Sequence, residues 1–228
     1  MIISHKHKFI FIKTNKTAGT SVEIALSKFC GANDIVTKIS RVDEKTRKSL
    51  GYTGAQNYLA NRDPALNWID RLLGRSEAEV FFNHMPATRI RELIPRKIWD
   101  GYFKFCIERN PWDRTVSAYY WKNKLEPRPP MIDWLNKGGH KVLQDRGREL
   151  YTIDGSIVVD QVIKYENLTD DLEAVRLKIG LPAPLELPNS KSSTRKDRRP
   201  YEQIFGDEEK QIIARDFAFE TRTFGYEF

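Results

Sequence analysis

The segment Lys13-Thr14-Asn15-Lys16-Thr17-Ala18-Gly19-Thr20-Ser21 has the residue types of an anion site. Lys16 supplies a compact, mobile cation. Gly19 lets the backbone approach a ligand closely, and Thr20 and Ser21 add hydroxyl donors. Where such a loop enters a helix, the first N–H groups have no intrahelical partner and the helix dipole favours negative charge. The Walker A pattern is not matched: its first glycine is missing, and the lysines lie upstream of Gly19 rather than after it. Alone, the segment also reads as an ordinary strand-to-helix turn built from small residues.

A second anion receptor lies further along. Arg109 ends an apolar run, Pro111 opens a helix, and Ser117 lies eight residues beyond the arginine, about two helical turns into that helix. An arginine fork with a hydroxyl suits a terminal phosphate, although the same residues also read as a solvated helix face. His84 is the candidate general base, because an imidazole titrates near neutrality; its other reading is a cap for the helix beginning at Pro86. Glu108 is the reserve base, or a partner that orients a basic residue. Arg195 and Lys196, in the basic run 195–199, read as a lid over phosphates or as a solvated loop.

These residues need elements to hold them at one edge. Residues 9–12 are a short, fully apolar strand of the buried parallel type. A helix follows from Thr20 to the stop at Gly31. Further strands are expected over 34–39, 80–82, 102–108 and 157–163. Helices are expected over 65–73, from Pro86 to Ile94, from Pro111 to Trp121, and over 168–179 and 207–219. Strands alternating with helices predict an α/β fold: a central parallel sheet flanked by helices in three layers. In such sheets ligands bind outside the carboxyl ends of the strands, where Lys16, His84 and Arg109 would all lie.

The chain has 228 residues, 40% of them hydrophobic, and a formal net charge of +7. This length suits one domain, with residues 40–75 as a variable, substrate-facing insertion. The charge invites an anionic partner without choosing among nucleotide, glycan and nucleic acid. Two cysteines, Cys30 and Cys106, exclude a disulfide framework and read as inert structural thiols. No Cys/His set offers zinc four ligands. His5 and His7 read as a solvated start and His140 as a loop residue. No apolar run is long enough for a signal core or a membrane span, which gives a soluble, cytoplasmic expectation.

The two motifs together resemble the nucleotide-dependent sulfotransferase family in its carbohydrate-type branch. KTNKTAGTS is similar to that family's 5'-phosphosulfate loop, and IERNPWDRTVSAYYW to its 3'-phosphate element. VIKYENLTDDL and the closing FGYEF fit as well. The resemblance implies a P-loop-like fold and 3'-phosphoadenosine-5'-phosphosulfate (PAPS) as donor, with no metal required. It implies that residues 13–14 and 16–21 hold the 5'-phosphosulfate and that Arg109 and Ser117 hold the 3'-phosphate, with Arg195 or Lys196 assisting. Lys16 would stabilise charge on the leaving phosphate, and His84 would deprotonate an acceptor hydroxyl, on a glycan or another small molecule. Two rivals remain at this point: a kinase with a degenerate phosphate loop, and a non-enzymatic module that binds polyanions.

Overall fold

Side chains alternate between the faces of a strand, so each apolar run serves two cores at once. The computed structural model describes residues 1–60, 78–188, 197 and 199–228. In chain order the first half holds β1 (Ile2–Ser4), β2 (Phe9–Phe11), α1 (Gly19–Ser27), β3 (Ile35–Val36), α2 (Arg41–Ser49), α3 (Ala87–Leu93), α4 (Arg96–Gly101), β4 (Phe103–Glu108) and α5 (Pro111–Lys122). There follow α6 (Met131–Asn136), α7 (Val142–Asp145), β5 (Thr152–Ile153), β6 (Ser156–Ile157), β7 (Gln161–Lys164), α8 (Leu168–Lys178), α9 (Asp207–Asp216) and α10 (Ala218–Phe224).

Phe9 and Phe11, with Phe105 and Ile107 of β4, pack against Val22 and Leu26 of α1 and Leu172 and Val175 of α8. Ile10, Ile12 and Cys106 join the opposite core, with Ile90 of α3 and Trp99 of α4. The sheet therefore carries helices on both faces. A third cluster joins Trp112 and Val116 of α5 to Trp134 of α6 and Ile213 of α9.

Among the described residues the main sheet runs β3-β1-β2-β4-β7. It is mixed rather than wholly parallel: β2, β4 and β7 are parallel, while β1 pairs antiparallel with both β2 and β3. The parallel trio positions the site. Phe11 registers with Phe105, and Glu108 with Lys164, so the chain leaves β2 and β4 at one edge.

Three expected elements differ. Residues 80–82 form no strand, and 80–81 are a bend: Val80 and Phe81 both donate their N–H groups to the Tyr58 carbonyl. The expected strand over 157–163 divides into β6 and β7. Asp154 and Gly155, with φ of 51° and 76°, make the tight turn that pairs β5 with β6. The expected helix over 207–219 breaks at Phe217, and α10 continues to Gly225, whose φ is 65°. Of the segment 40–75, residues 41–49 form α2, capped by Ser40 accepting from the Asp43 N–H; the helix expected over 65–73 lies outside the described residues, as do Arg195 and Lys196.

Candidate active site

A cleft of about 640 Å³ opens at the carboxyl edge of β2 and β4. Residues 13–21, His84, Arg109 and Ser117 all line it. The structure thus brings together both anion motifs and the candidate base, which are far apart in the chain.

The loop leaves β2 pinned to its neighbour. Ile12 donates to the Phe105 carbonyl at 2.9 Å, and the Thr14 hydroxyl donates to the Ile107 carbonyl. Thr17 Oγ1 is 2.8 Å from Thr14 Oγ1, and both side chains are buried, so these hydroxyls tie the loop together rather than facing a ligand. Lys16 and Ala18 adopt left-handed backbone, with φ of 63° and 60°. Such turns gather successive N–H groups into an anion-binding concavity. Ala18 caps α1 without a side-chain hydrogen bond, and the first turn of α1 carries no acidic residue. Gly19 is required for a reason the sequence did not reveal: a Cβ there would sit 2.9 Å from Lys13 Cγ and 3.3 Å from the Thr14 carbonyl oxygen.

The two lysines of the loop diverge. Lys13 Nζ turns inward to Glu23 Oε2 at 2.9 Å, and both side chains are buried. Burial alone would raise the Glu23 carboxyl, but Lys13 and the amino group of Met1 outweigh it and hold it at about 2. The Lys13 ammonium, expected among the ligand-binding groups, is therefore already paired inside the protein. The Lys16 ammonium lies 5.5 Å from the ring centre of Trp121, at the cleft wall.

Arg109 is fixed from three sides. Its Nε donates to Asp113 Oδ2 at 2.8 Å, its Nη1 donates to the Lys16 carbonyl at 3.2 Å, and its guanidinium lies 4.0 Å from the Tyr165 ring centre. Asn110 caps α5 by accepting from the Trp112 N–H, and Pro111 opens the helix. Ser117 follows on the same helix and lines the cleft.

His84 reaches the cleft without the strand expected to deliver it. It sits in left-handed backbone, φ 59°, a conformation His, Asn and Asp adopt more readily than most residues. Its Nδ1 is 2.8 Å from the Lys13 carbonyl. A carbonyl only accepts, so Nδ1 carries the proton and Nε2 keeps its lone pair. Burial, then the Lys13 charge, pushes its pKa down to about 3. The ring is neutral at physiological pH.

Glu108, the reserve base, does not line the cleft. It is fully buried, with Oε1 accepting from Arg114 Nη1 at 2.6 Å and Oε2 from the Tyr151 hydroxyl at 2.8 Å. Burial pushes its pKa up. It orients Arg114, the second of the two roles its sequence context allowed. Sequence reasoning did not single out Arg146, Asn83 or Tyr165 as cleft residues. Arg146 carries no motif signal; it arrives because Asn15 N–H and Arg114 both bind its carbonyl.

Close to this group, Glu220 is 1% exposed and neither carboxylate oxygen has a hydrogen-bond partner among the described residues. Burial, then the Glu108 charge, raises its pKa from 4.5 to about 7. A folded pKa above the unfolded one stabilises fully below the unfolded value and loses that contribution as pH rises through 7. Glu220→Gln is therefore expected to raise the melting temperature at about pH 8.5 and to change it little at about pH 5. The alkaline gain corresponds to roughly 3 kcal/mol. Calorimetric melts of both proteins across that range check it, and equal gains at both ends would contradict this account.

His5 and His7, expected to be solvated, are instead partly buried, and His5 and His140 are held by partners. His140 is not a loose loop residue but buried, with Nε2 2.7 Å from Asp216 Oδ2. His5 Nδ1 meets the Tyr102 hydroxyl at 2.9 Å. Burial raises both thiols, Cys30 to about 12. Among the described residues no group of His, Cys, Asp and Glu is arranged to hold a metal ion, and no helix is long and apolar enough to cross a membrane.

The model of the sulfotransferase family matches residues 1–150, a span holding the loop, His84, Arg109 and Ser117. An uncharacterized protein of Archaeoglobus fulgidus is 33% identical over 106 residues, 45% of this chain and 88% of that protein.

Proposed function

The chain belongs to the sulfotransferase family, and from that premise we propose that it moves a sulfuryl group from PAPS to an acceptor hydroxyl, on a carbohydrate. We read the chain as one P-loop-like, three-layer domain in which residues 40–75 vary with the acceptor. The observation that carries the donor reading is the meeting of two anion receptors in one cleft. A single phosphate would need only the loop; a second, arginine-and-hydroxyl receptor suits a nucleotide phosphorylated at both 5' and 3' positions. Tyr165, Leu168, Leu187 and Pro188 form an apolar stretch of the wall suited to a purine face.

Sulfuryl transfer resembles phosphoryl transfer: the protein aligns the groups and stabilises developing charge. Backbone N–H groups at the start of α1 would hold the 5'-phosphosulfate. Lys16 would meet the charge growing on the leaving phosphate. His84 Nε2 would take the acceptor proton. A pKa near 3 makes a weak base; burial is its larger cause and the Lys13 charge the second, and the donor's negative charges would offset the cationic part and move the histidine upward.

Isothermal titration tests the donor site. Adenosine 3',5'-bisphosphate is expected to bind tightly without Mg²⁺, and ATP weakly with or without it. Tighter binding of Mg²⁺-ATP than of the bisphosphate would overturn the reading in favour of a kinase.

A further inference from the structure

Arg114 lies between Arg109 and Ser117 on α5 but does not reach the cleft; it is 1% exposed. Its guanidinium donates three ways: Nη1 to Glu108, Nε to the Asn15 carbonyl at 2.8 Å, and Nη2 to the Arg146 carbonyl at 3.1 Å. The Arg146 carbonyl also accepts from the Asn15 N–H at 2.8 Å. Both backbone groups of Asn15 are therefore occupied. The next carbonyl, of Lys16, accepts from Arg109. Two successive loop carbonyls are thus held by two guanidiniums, Arg114 from α5 and Arg109 from the turn that leads into it. Since the peptide unit is planar and trans, fixing a carbonyl also fixes the N–H on the opposite side.

This matters because the loop holds two non-glycine residues, Lys16 and Ala18, at positive φ. That backbone is strained for an L side chain and persists only where the surroundings over-determine it. We infer that Arg114 is a positioning residue: it clamps the phosphate loop in its left-handed conformation and joins it to the segment carrying Arg146. Glu108 and Tyr151 hold the clamp in turn. Gly147 makes room for it, since a Cβ there would lie 2.8 Å from two guanidinium nitrogens and 2.3 Å from the Leu143 carbonyl oxygen. Lysine keeps the charge but lacks the planar fork that serves three acceptors.

Two variants test this. Arg114→Lys keeps Glu108 paired with a cation. Arg114→Met combined with Glu108→Gln removes both buried charges, an exchange that buried pairs often tolerate. Amide hydrogen exchange of unliganded protein, followed over residues 14–19, is expected to speed up about tenfold or more in a folded variant. Affinity for adenosine 3',5'-bisphosphate is expected to fall by a similar factor, and the donor KM to rise more than kcat falls. A folded variant with wild-type loop exchange overturns the clamp, and so does failure of both variants to fold, which would make Arg114 a core residue only. The ligand arm rests on the donor reading of the cleft; if the wild-type protein does not bind the bisphosphate, that reading fails, while the exchange arm still decides the clamp.

Discussion

Lys16→Ala is expected to lower the transfer rate by about 10²–10³-fold, the size of effect seen when a preorganised charge-stabilising group is removed. In the proposed reaction Lys16 acts as charge builds on the leaving 5'-phosphate, so kcat should fall further than affinity for the bisphosphate product. The fold should be unaffected. Alanine at position 16 inherits the same left-handed backbone that lysine adopts there, and the inward charge pair of the loop belongs to Lys13 and Glu23, not to Lys16. Steady-state assays with labelled donor, alongside thermal melts, check this. A variant within tenfold of wild-type kcat would remove Lys16 from the reaction.

The second large effect belongs to His84. His84→Asn is expected to reduce kcat by about 10²–10⁴-fold, the range for loss of a general base. Asparagine is the informative replacement because it tolerates positive φ and its amide can still donate to the Lys13 carbonyl that holds the histidine. The pH profile adds a second reading. Only the neutral ring is a base, so activity is lost as pH falls through its pKa. In the free protein that pKa is held down at about 3, so kcat/KM for the donor should show no histidine limb between about pH 5 and 8. At saturating donor, kcat/KM for the acceptor reports the donor complex, where added negative charge moves the limb upward. Unchanged turnover in His84→Asn would move the base elsewhere.

The place of both residues in the cleft was legible in the sequence, but for different reasons. The apolar run 9–12 and the small residues after it declare a strand, a loop and a helix locally, and the structure keeps that order in β2 and α1. Arg109 was placed correctly at the sheet edge because β4 is long and apolar and its end is punctuated by Asn110-Pro111. His84 was assigned to the edge through a strand that does not form; Lys13 holds it there instead, across 71 positions of sequence. The strand expected over 34–39 forms only as the two-residue β3, and β1, three residues long, carries too little pattern to be read without its partners. The same limit hid the Glu108–Arg114–Tyr151 group, whose members are unremarkable alone and meet only through the fold. Asp154-Gly155 was a missed local signal, since an Asp-Gly pair between β-prone residues announces a hairpin.

The inward pairing of Lys13 has a consequence for how the cleft behaves as ionic strength changes. With that ammonium neutralised against Glu23, attraction at the loop depends less on exposed lysines and more on oriented backbone N–H groups at the start of α1. Exposed charges act over a distance and are screened within about 8 Å at physiological salt, whereas contacts in a partly enclosed site are screened far less. A ligand bound in this loop, as proposed, would be held largely by short, directional forces that tolerate salt, while the net charge of +7 carried by the whole chain would govern how quickly anions arrive.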